Sequence, residues 1–307
     1  MRCSIEKYLP GIMAGIGLLL WGVCVVCAPL RLAACGHWLR HHLRQTDAAL
    51  HLARMEHTES PMLRACTRQE PGVNAPELWI AHGGGVGEWV YTNSLEAVQD
   101  SLRRGFRYVE LDLLVTTDGH LVGGHDWPRL RRMAGLADTE DAPVSRAELL
   151  AARACWQHTL LFAGDICRLM EENPHMVLVT DKVQDFELLL REIPYAERMV
   201  VEASNYHNYL KALQAGVKNV TFSVWTAEGL RQARQFRLPG VVLASPVMMY
   251  DLSVYALVEQ MHREGCCIMV HGSSLSDKPQ FIYRYLGRCI SRVYTDTWSP
   301  AAVPPAP

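Results

Sequence analysis

Residues 105–126 read GFRYVELDLLVTTDGHLVGGHD. Val109, Leu111 and Leu113 alternate with Glu110 and Asp112, the period-two pattern of a β-strand. That alternation puts two carboxylates on one face and three apolar side chains on the other. Thr117-Asp118-Gly119 then supplies turn residues. A second short apolar run, Leu121-Val122-Gly123-Gly124, ends on His125-Asp126-Trp127. A strand that is apolar on one face and acidic on the other fits a parallel sheet whose inner face opens on a polar site.

Working outward, short apolar runs alternate with helical patterns. Strands are predicted at Leu78–His82, Tyr108–Thr116, Leu121–His125, Met176–Lys182, Met199–Ala203, Val220–Trp225, Val241–Ala244, Cys267–His271 and Arg292–Thr295. Helices are predicted at Ser94–Arg104, Val144–Ala152, Phe186–Arg191, Tyr206–Ala215, Ala227–Phe236 and Val254–Glu264. Such alternation calls for parallel strands with crossover helices. Eight or nine strands in roughly 220 residues fit a distorted TIM barrel of the α/β class better than an open sheet.

In such a barrel, catalytic groups gather at the carboxyl ends of the strands. Those ends are rich in titratable residues: His82, Glu110 with Asp112, His125, Asp181-Lys182 and Asp296. Two carboxylates on one strand face repel each other in a buried mouth, and a hard divalent cation, Mg²⁺ or Ca²⁺, removes that repulsion and uses the oxygens as ligands. Glu110 and Asp112 are therefore metal-ligand candidates. His82 and His125 each follow an apolar run and precede a turn. One imidazole can take a proton from water or a hydroxyl while the other gives one to a leaving oxygen. Phosphodiester cleavage needs both transfers, plus cations such as a metal and Lys182 to offset phosphate charge. Gly83-Gly84-Gly85-Val86-Gly87 lacks the spacing of a dinucleotide fingerprint and reads as a flexible loop that lets substrate approach His82.

The ordered set Ala81-His82-Gly83-Gly84, Tyr91-Thr92-Asn93-Ser94-Leu95-Glu96-Ala97, Gly105 to Asp112, Thr116-Thr117-Asp118-Gly119 and Gly124-His125-Asp126-Trp127 resembles the opening half of the glycerophosphodiester phosphodiesterase family. That family is similar to phosphatidylinositol-specific phospholipases C. Val293-Tyr294-Thr295-Asp296 is similar to its final strand. The resemblance implies a distorted TIM barrel, a divalent cation and hydrolysis of a glycerophosphodiester or lipid head-group phosphodiester. It matches His82 and His125 to the catalytic histidines and Glu110 and Asp112 to the metal carboxylates. It also matches Asn93 to an asparagine near the phosphate and Lys182 to the lysine of a Glu-x-Lys strand. Three positions depart from the pattern. Gly83 replaces an arginine, Thr180 replaces a third carboxylate ligand, and His271 ends the strand that should end in tryptophan. Asp181 adjoins Thr180, but on a regular strand it would face the other way. Trp225 is expected to pack the barrel rim. Two alternatives stand beside hydrolysis: a phospholipase-like lyase forming a cyclic phosphate, and a membrane-tethered binding protein that has lost catalysis.

The 307-residue chain has a formal net charge of -2, which gives no basic field for nucleic acid. From Gly11 to Leu30 there is no charge, and about 20 apolar residues suffice to span a bilayer as a helix. Residues 1–35 are thus expected to be an uncleaved single-pass anchor. Leu32-Ala33-Ala34-Cys35 looks like a lipoprotein cleavage box, but Arg31 interrupts the apolar run before it. Residues 36–76 read as a juxtamembrane helix and linker, 77–299 as the barrel and 300–307 as a disordered tail. Arg2 and Lys7 before the span, against Arg31, Arg40 and Arg44 after it, favour a cytoplasmic domain. The family resemblance favours the extracytoplasmic side, which is the expectation kept. None of the later cysteines falls in a CxxC pair, and Cys266-Cys267 reads as a pair of small buried hydrophobes.

Overall fold

The computed structural model describes residues 29–55, 60–66, 75–136, 141–244, 252–271 and 289–297. The chain divides into two compact units, Met1–Leu50 and His51–Pro307. In the first, the described residues belong to a helix, Pro29–Leu52, that carries Trp38 and Leu43 exposed. No helix among the described residues is long and apolar enough to cross a membrane. The expected anchor lies almost wholly in residues 1–28, outside the described residues, as does the tail 300–307.

The second unit holds a closed, all-parallel, eight-stranded barrel. Its strands are β1 (Trp79–Ala81), β2 (Tyr108–Glu110), β5 (Val177–Thr180), β6 (Met199–Ala203), β7 (Val220–Val224), β8 (Gly240–Ala244), β9 (Cys267–His271) and β10 (Arg292–Thr295). Closure runs through Ile80 opposite Tyr108 on one side of β1 and Trp79 opposite Val293 on the other. Strands such as Val177-Leu178-Val179-Thr180 are buried on every residue, as parallel strands covered on both faces must be. Polar residues at helix starts stop the strands cleanly. Ser94, Asp126, Ser145, Asp185, Asn205 and Thr226 each accept a backbone N–H of the following first turn.

Two expected strands change character. The run Tyr108–Thr116 breaks after Glu110: β2 ends there, and β3 (Leu113–Val115) pairs antiparallel with β4 (Leu121–Gly123) outside the barrel. Leu121–His125 is therefore a hairpin arm. It has its own apolar cluster (Val122, Trp127, Leu130, Leu149, Leu160 and Phe162), which the barrel does not need to bury it. Gly123 is required there, because a Cβ would come within 2.6 Å of the Asn93 carbonyl oxygen.

The helix Pro61–Cys66, expected within a linker, plugs the amino-terminal mouth of the barrel. Leu63 is 1% exposed and joins Ile80, Tyr108, Val177, Val242 and Met269 in one cluster. Asn219 Oδ1 accepts the Met62 N–H at 3.2 Å, and Ser60 donates to the Lys218 carbonyl at 3.2 Å. Cys66 is joined by a disulfide to Cys267 at the start of β9, 201 residues away, with their Cα atoms 5.8 Å apart. Cys267 is thus a cross-link and not the small hydrophobe expected, because the fold seats Cys66 directly under its strand. Cys266 stays buried and free.

Leu63→Ala removes the plug's central side chain and should destabilise the whole barrel by about 3 kcal/mol in urea unfolding. A loss confined to the noise would mean that the barrel floor does not need the plug.

Candidate active site

The carboxyl ends of the strands gather the polar residues. Glu110 is the last residue of β2, and Asp112 follows the break; they are 3% and 4% exposed, so their charges are almost wholly out of water. The strand spacing inferred from sequence does not hold, since Asp112 lies beyond the strand. Tertiary contacts bring the two together all the same. The Gly83 N–H donates to Glu110 Oε2 at 2.7 Å. Asn93 clamps Asp112 from both ends: its carbonyl accepts the Asp112 N–H at 2.9 Å, and its amide donates to Asp112 Oδ2 at 2.9 Å. Asn93 thus holds both the backbone and the carboxylate of Asp112.

Asp181 completes a trio with Glu110 and Asp112, with one oxygen from each within 4.8 Å of the others. Sequence reading missed it by taking Thr180 as the inward residue, whereas Val177 and Val179 face the barrel interior and the same alternation carries Asp181 to that side. Asp181 Oδ1 and Thr180 Oγ1 are buried without a hydrogen-bond partner. Of these two, Asp181 Oδ1 belongs to the acidic cluster, and an unmet carboxylate oxygen there fits a hard divalent cation, which takes six to eight oxygens as Ca²⁺ or about six as Mg²⁺. Burial raises the pKa of Glu110 well above the usual carboxylate range, and Asp112 and Asp181 add to it. Burial and then Asp112 raise that of Asp181. Lys182 sits 3.4 Å from Asp181 and 3.7 Å from Asp112. Burial works against its charge, but the two aspartates hold its pKa above the usual value. Behind the trio, buried Glu202 on β6 accepts from the Tyr294 hydroxyl, and burial, then Asp181, favours its neutral form.

The two histidines are held alike. His82 leaves β1 in a 3-10 turn, and its Nδ1 lies 2.9 Å from Asp296 Oδ1 just past β10. His125 leaves the hairpin with its Nδ1 2.8 Å from Asp126 Oδ2. The Gly124 N–H donates to the Asp112 carbonyl at 2.9 Å, which brings the hairpin tip to the carboxylates. A carboxylate on Nδ1 fixes the ring and leaves Nε2 for chemistry.

Gly83, Gly84, Gly85 and Val86 are buried and packed, and only Gly87 at the end of the stretch is exposed with open space around it. Gly83 has φ 56°, and a Cβ there would lie 2.5 Å from Tyr91 Cα, so position 83 has no room for a side chain. Tyr91 (φ 58°) and Asn93 (φ 50°) take the left-handed conformation that is uncommon for non-glycine residues and that concentrates at functional sites. Tyr91 joins an arc of rings. Centroids run from His125 to Tyr91 at 6.0 Å, Tyr91 to His82 at 4.4 Å, His82 to Tyr294 at 5.6 Å, Tyr294 to His271 at 6.2 Å and His271 to Trp225 at 5.1 Å. His271 therefore enters the arc, and burial, then His82, pulls its pKa down to about 4. Trp225 is 61% exposed beside it, so it does not pack the rim as expected.

At its strand ends this parallel barrel gathers two aspartate-backed histidines and a carboxylate trio that could hold a metal ion. The model of the glycerophosphoryl diester phosphodiesterase family matches residues 82–265, more than half of the chain, and the chain belongs to that family of phosphoric diester hydrolases. Its fold is similar to solved structures at low identity. A glycerophosphodiester phosphodiesterase from Thermotoga maritima shares 18% identity over 71% of this chain and 94% of that one, at a TM-score of 0.57. One from Parabacteroides distasonis shares 16% over 78% and 89%, at 0.59. An Oleispira antarctica phosphodiesterase, solved with the product sn-glycerol-3-phosphate, shares 14% over 71% and 92%, at 0.55. No curated protein matches.

The raised carboxylates set a pH signature. Glu110 and Asp181 bind protons more tightly folded than unfolded, so their contribution favours the fold at low pH and is lost as pH rises through the raised values. In EDTA, this contribution to Tm should fall as pH rises above the ordinary carboxylate range. Added Ca²⁺ or Mg²⁺ should restore Tm, more at higher pH because metal and protons compete for the same oxygens. A cation-induced shift that does not change with pH would count against the trio as the binding site.

Proposed function

We propose that this protein hydrolyses glycerophosphodiesters, or related lipid head-group phosphodiesters, with His82 and His125 as its acid–base pair and a divalent cation in the Glu110–Asp112–Asp181 trio. The observation that carries this reading is the placement of two aspartate-backed histidines against that buried trio. When bound, the cation supplies Lewis-acid neutralisation of phosphate charge. Every other part belongs to the chain. Asp296 and Asp126 hold the two imidazoles with Nε2 outward. One imidazole takes a proton from the attacking water, and the other gives one to the departing alcohol oxygen. Asn93 keeps Asp112 in register, and Lys182 balances Asp112 and Asp181. The product-bound Oleispira relative supports a substrate of the glycerol-phosphate type.

Placement on the extracytoplasmic side, tethered by the N-terminal apolar run, is part of the same proposal. The Cys66–Cys267 disulfide supports it, since such bonds persist in oxidising compartments. Thiol labelling of unfolded full-length protein from its native membrane should leave these two cysteines unmodified until reduction; free thiols at both would favour the reducing side.

Catalysis is tested on the full-length chain with glycerophosphocholine and glycerophosphoinositol in ¹⁸O-water. The monoester product should carry the label. His82→Ala and His125→Ala should each lower kcat/KM by about 10²–10⁴-fold. An unlabelled cyclic phosphate would overturn hydrolysis in favour of a lyase, and activity surviving both substitutions would remove the histidine pair.

A further inference from the structure

A phosphodiester brings a negative charge into a mouth already crowded with carboxylates, and that charge needs a cationic partner of its own. Lys182 does not supply one freely, because its ammonium is shared between Asp181 and Asp112. Position 83, next to His82, is sterically closed to any side chain by Tyr91. Tyr91 fills that space and stands between the two histidines, 4.4 Å from one ring and 6.0 Å from the other. The Arg129 guanidinium lies over the Tyr91 ring, 5.8 Å from its centroid.

Arg129 is not held there for the sake of its helix. It lies in the first turn of Trp127–Met133, where a cation opposes the helix dipole. Asp126 fixes it. Asp126 Oδ1 accepts the Arg129 N–H at 2.8 Å, and Oδ2 lies 3.6 Å from Nε while holding His125 Nδ1 at 2.8 Å. One carboxylate thus sets the position of an imidazole and a guanidinium together. The Arg129 side chain remains 47% exposed, so it is accessible to a ligand from solvent. The Tyr91 hydroxyl reports the same geometry. Burial pushes its pKa up to about 12, Asp296, Glu110 and Asp112 add to the rise, and Arg129 opposes it. Arg129 therefore acts on the same point as Asp296, Glu110 and Asp112, with the opposite sign.

We propose that Arg129, lying over the Tyr91 ring, is a phosphate-binding residue of this site and takes the non-bridging oxygens of the substrate phosphodiester. The planar fork of a guanidinium suits two such oxygens, and the aromatic face below restricts its swing. The inference rests on the phosphodiesterase reading and adds a residue to it.

The test uses the full-length protein loaded with Mg²⁺ or Ca²⁺ and two readouts: steady-state hydrolysis of glycerophosphocholine, and calorimetric binding of inorganic phosphate. Arg129→Ala should raise KM and weaken phosphate binding, each by about tenfold, the size of one lost charge-assisted contact. Its cation affinity and Tm should stay at wild-type values, and Arg129→Lys should recover part of the loss. Arg231→Ala, on the remote helix Ala227–Gln235, serves as the control and should behave as wild type. Unchanged KM and phosphate affinity in Arg129→Ala would overturn the proposal. So would a fall in kcat alone with a displaced pH profile, which would mean that Arg129 acts only through Asp126 on His125. The two failures remain distinct: a folded, metal-loaded wild type that cleaves nothing, yet loses phosphate affinity on Arg129→Ala, sinks the phosphodiesterase reading and keeps the anion site.

Discussion

Three carboxylates brought within a few ångströms of one another in a buried mouth set the terms for the rest of this structure. Burial and mutual repulsion push Glu110 and Asp181 toward their neutral forms, and the neighbouring groups are arranged around that tension. Gly83 donates a backbone N–H to Glu110, Asn93 grips Asp112 at both ends, and Lys182 stands against Asp112 and Asp181. Each contact offsets part of a desolvation cost that an isolated buried charge could not sustain. The Asp181 oxygen still without a partner points to where a cation would finish the task. Thr180 removes a carboxylate from the strand, and Asp181, one residue later, returns one from the loop.

The two ends of the barrel solve opposite problems. The carboxyl end must stay polar and open, so it is lined by imidazoles, phenols and acids. The amino end has no such duty and is closed with hydrocarbon. Leu63 enters among the first residues of several strands, and a disulfide joins its helix to β9. A floor held from below leaves the strand ends above it fixed, and acid–base catalysis needs that fixity to within fractions of an ångström. The hairpin β3–β4 is a third device. It rests on a separate apolar cluster and delivers His125 to the site from outside the barrel.

Aspartate behind histidine recurs on both sides of the mouth with two different sources. Asp126 is His125's neighbour in sequence, whereas Asp296 reaches His82 across 214 residues. Asp126 also steadies Arg129, so a single carboxylate organises a proton-transfer group and a cation. The arc of rings from His125 to Trp225 lines one side of this region with aromatic surfaces.

The amino-acid sequence alone determined the barrel class, because continuous buried runs alternating with amphipathic helices have few other ways to hide their apolar faces. It also marked His82, Glu110, Asp112, His125 and Lys182, since titratable residues at the ends of apolar runs are costly to keep without a use. What it lacked was direction. A period-two pattern cannot show that a strand stops at Glu110, so Leu121–His125 read as a barrel strand; nor can it show which face of β5 turns inward, so Asp181 read as facing away. Only the tertiary structure decided that Asn93 serves Asp112, that Tyr91 excludes a side chain at position 83, that Asp296 backs His82, and that Cys66 meets Cys267. Each of those depends on which distant segments the closed barrel brings together, and no local spacing encodes a contact made across 200 residues of chain.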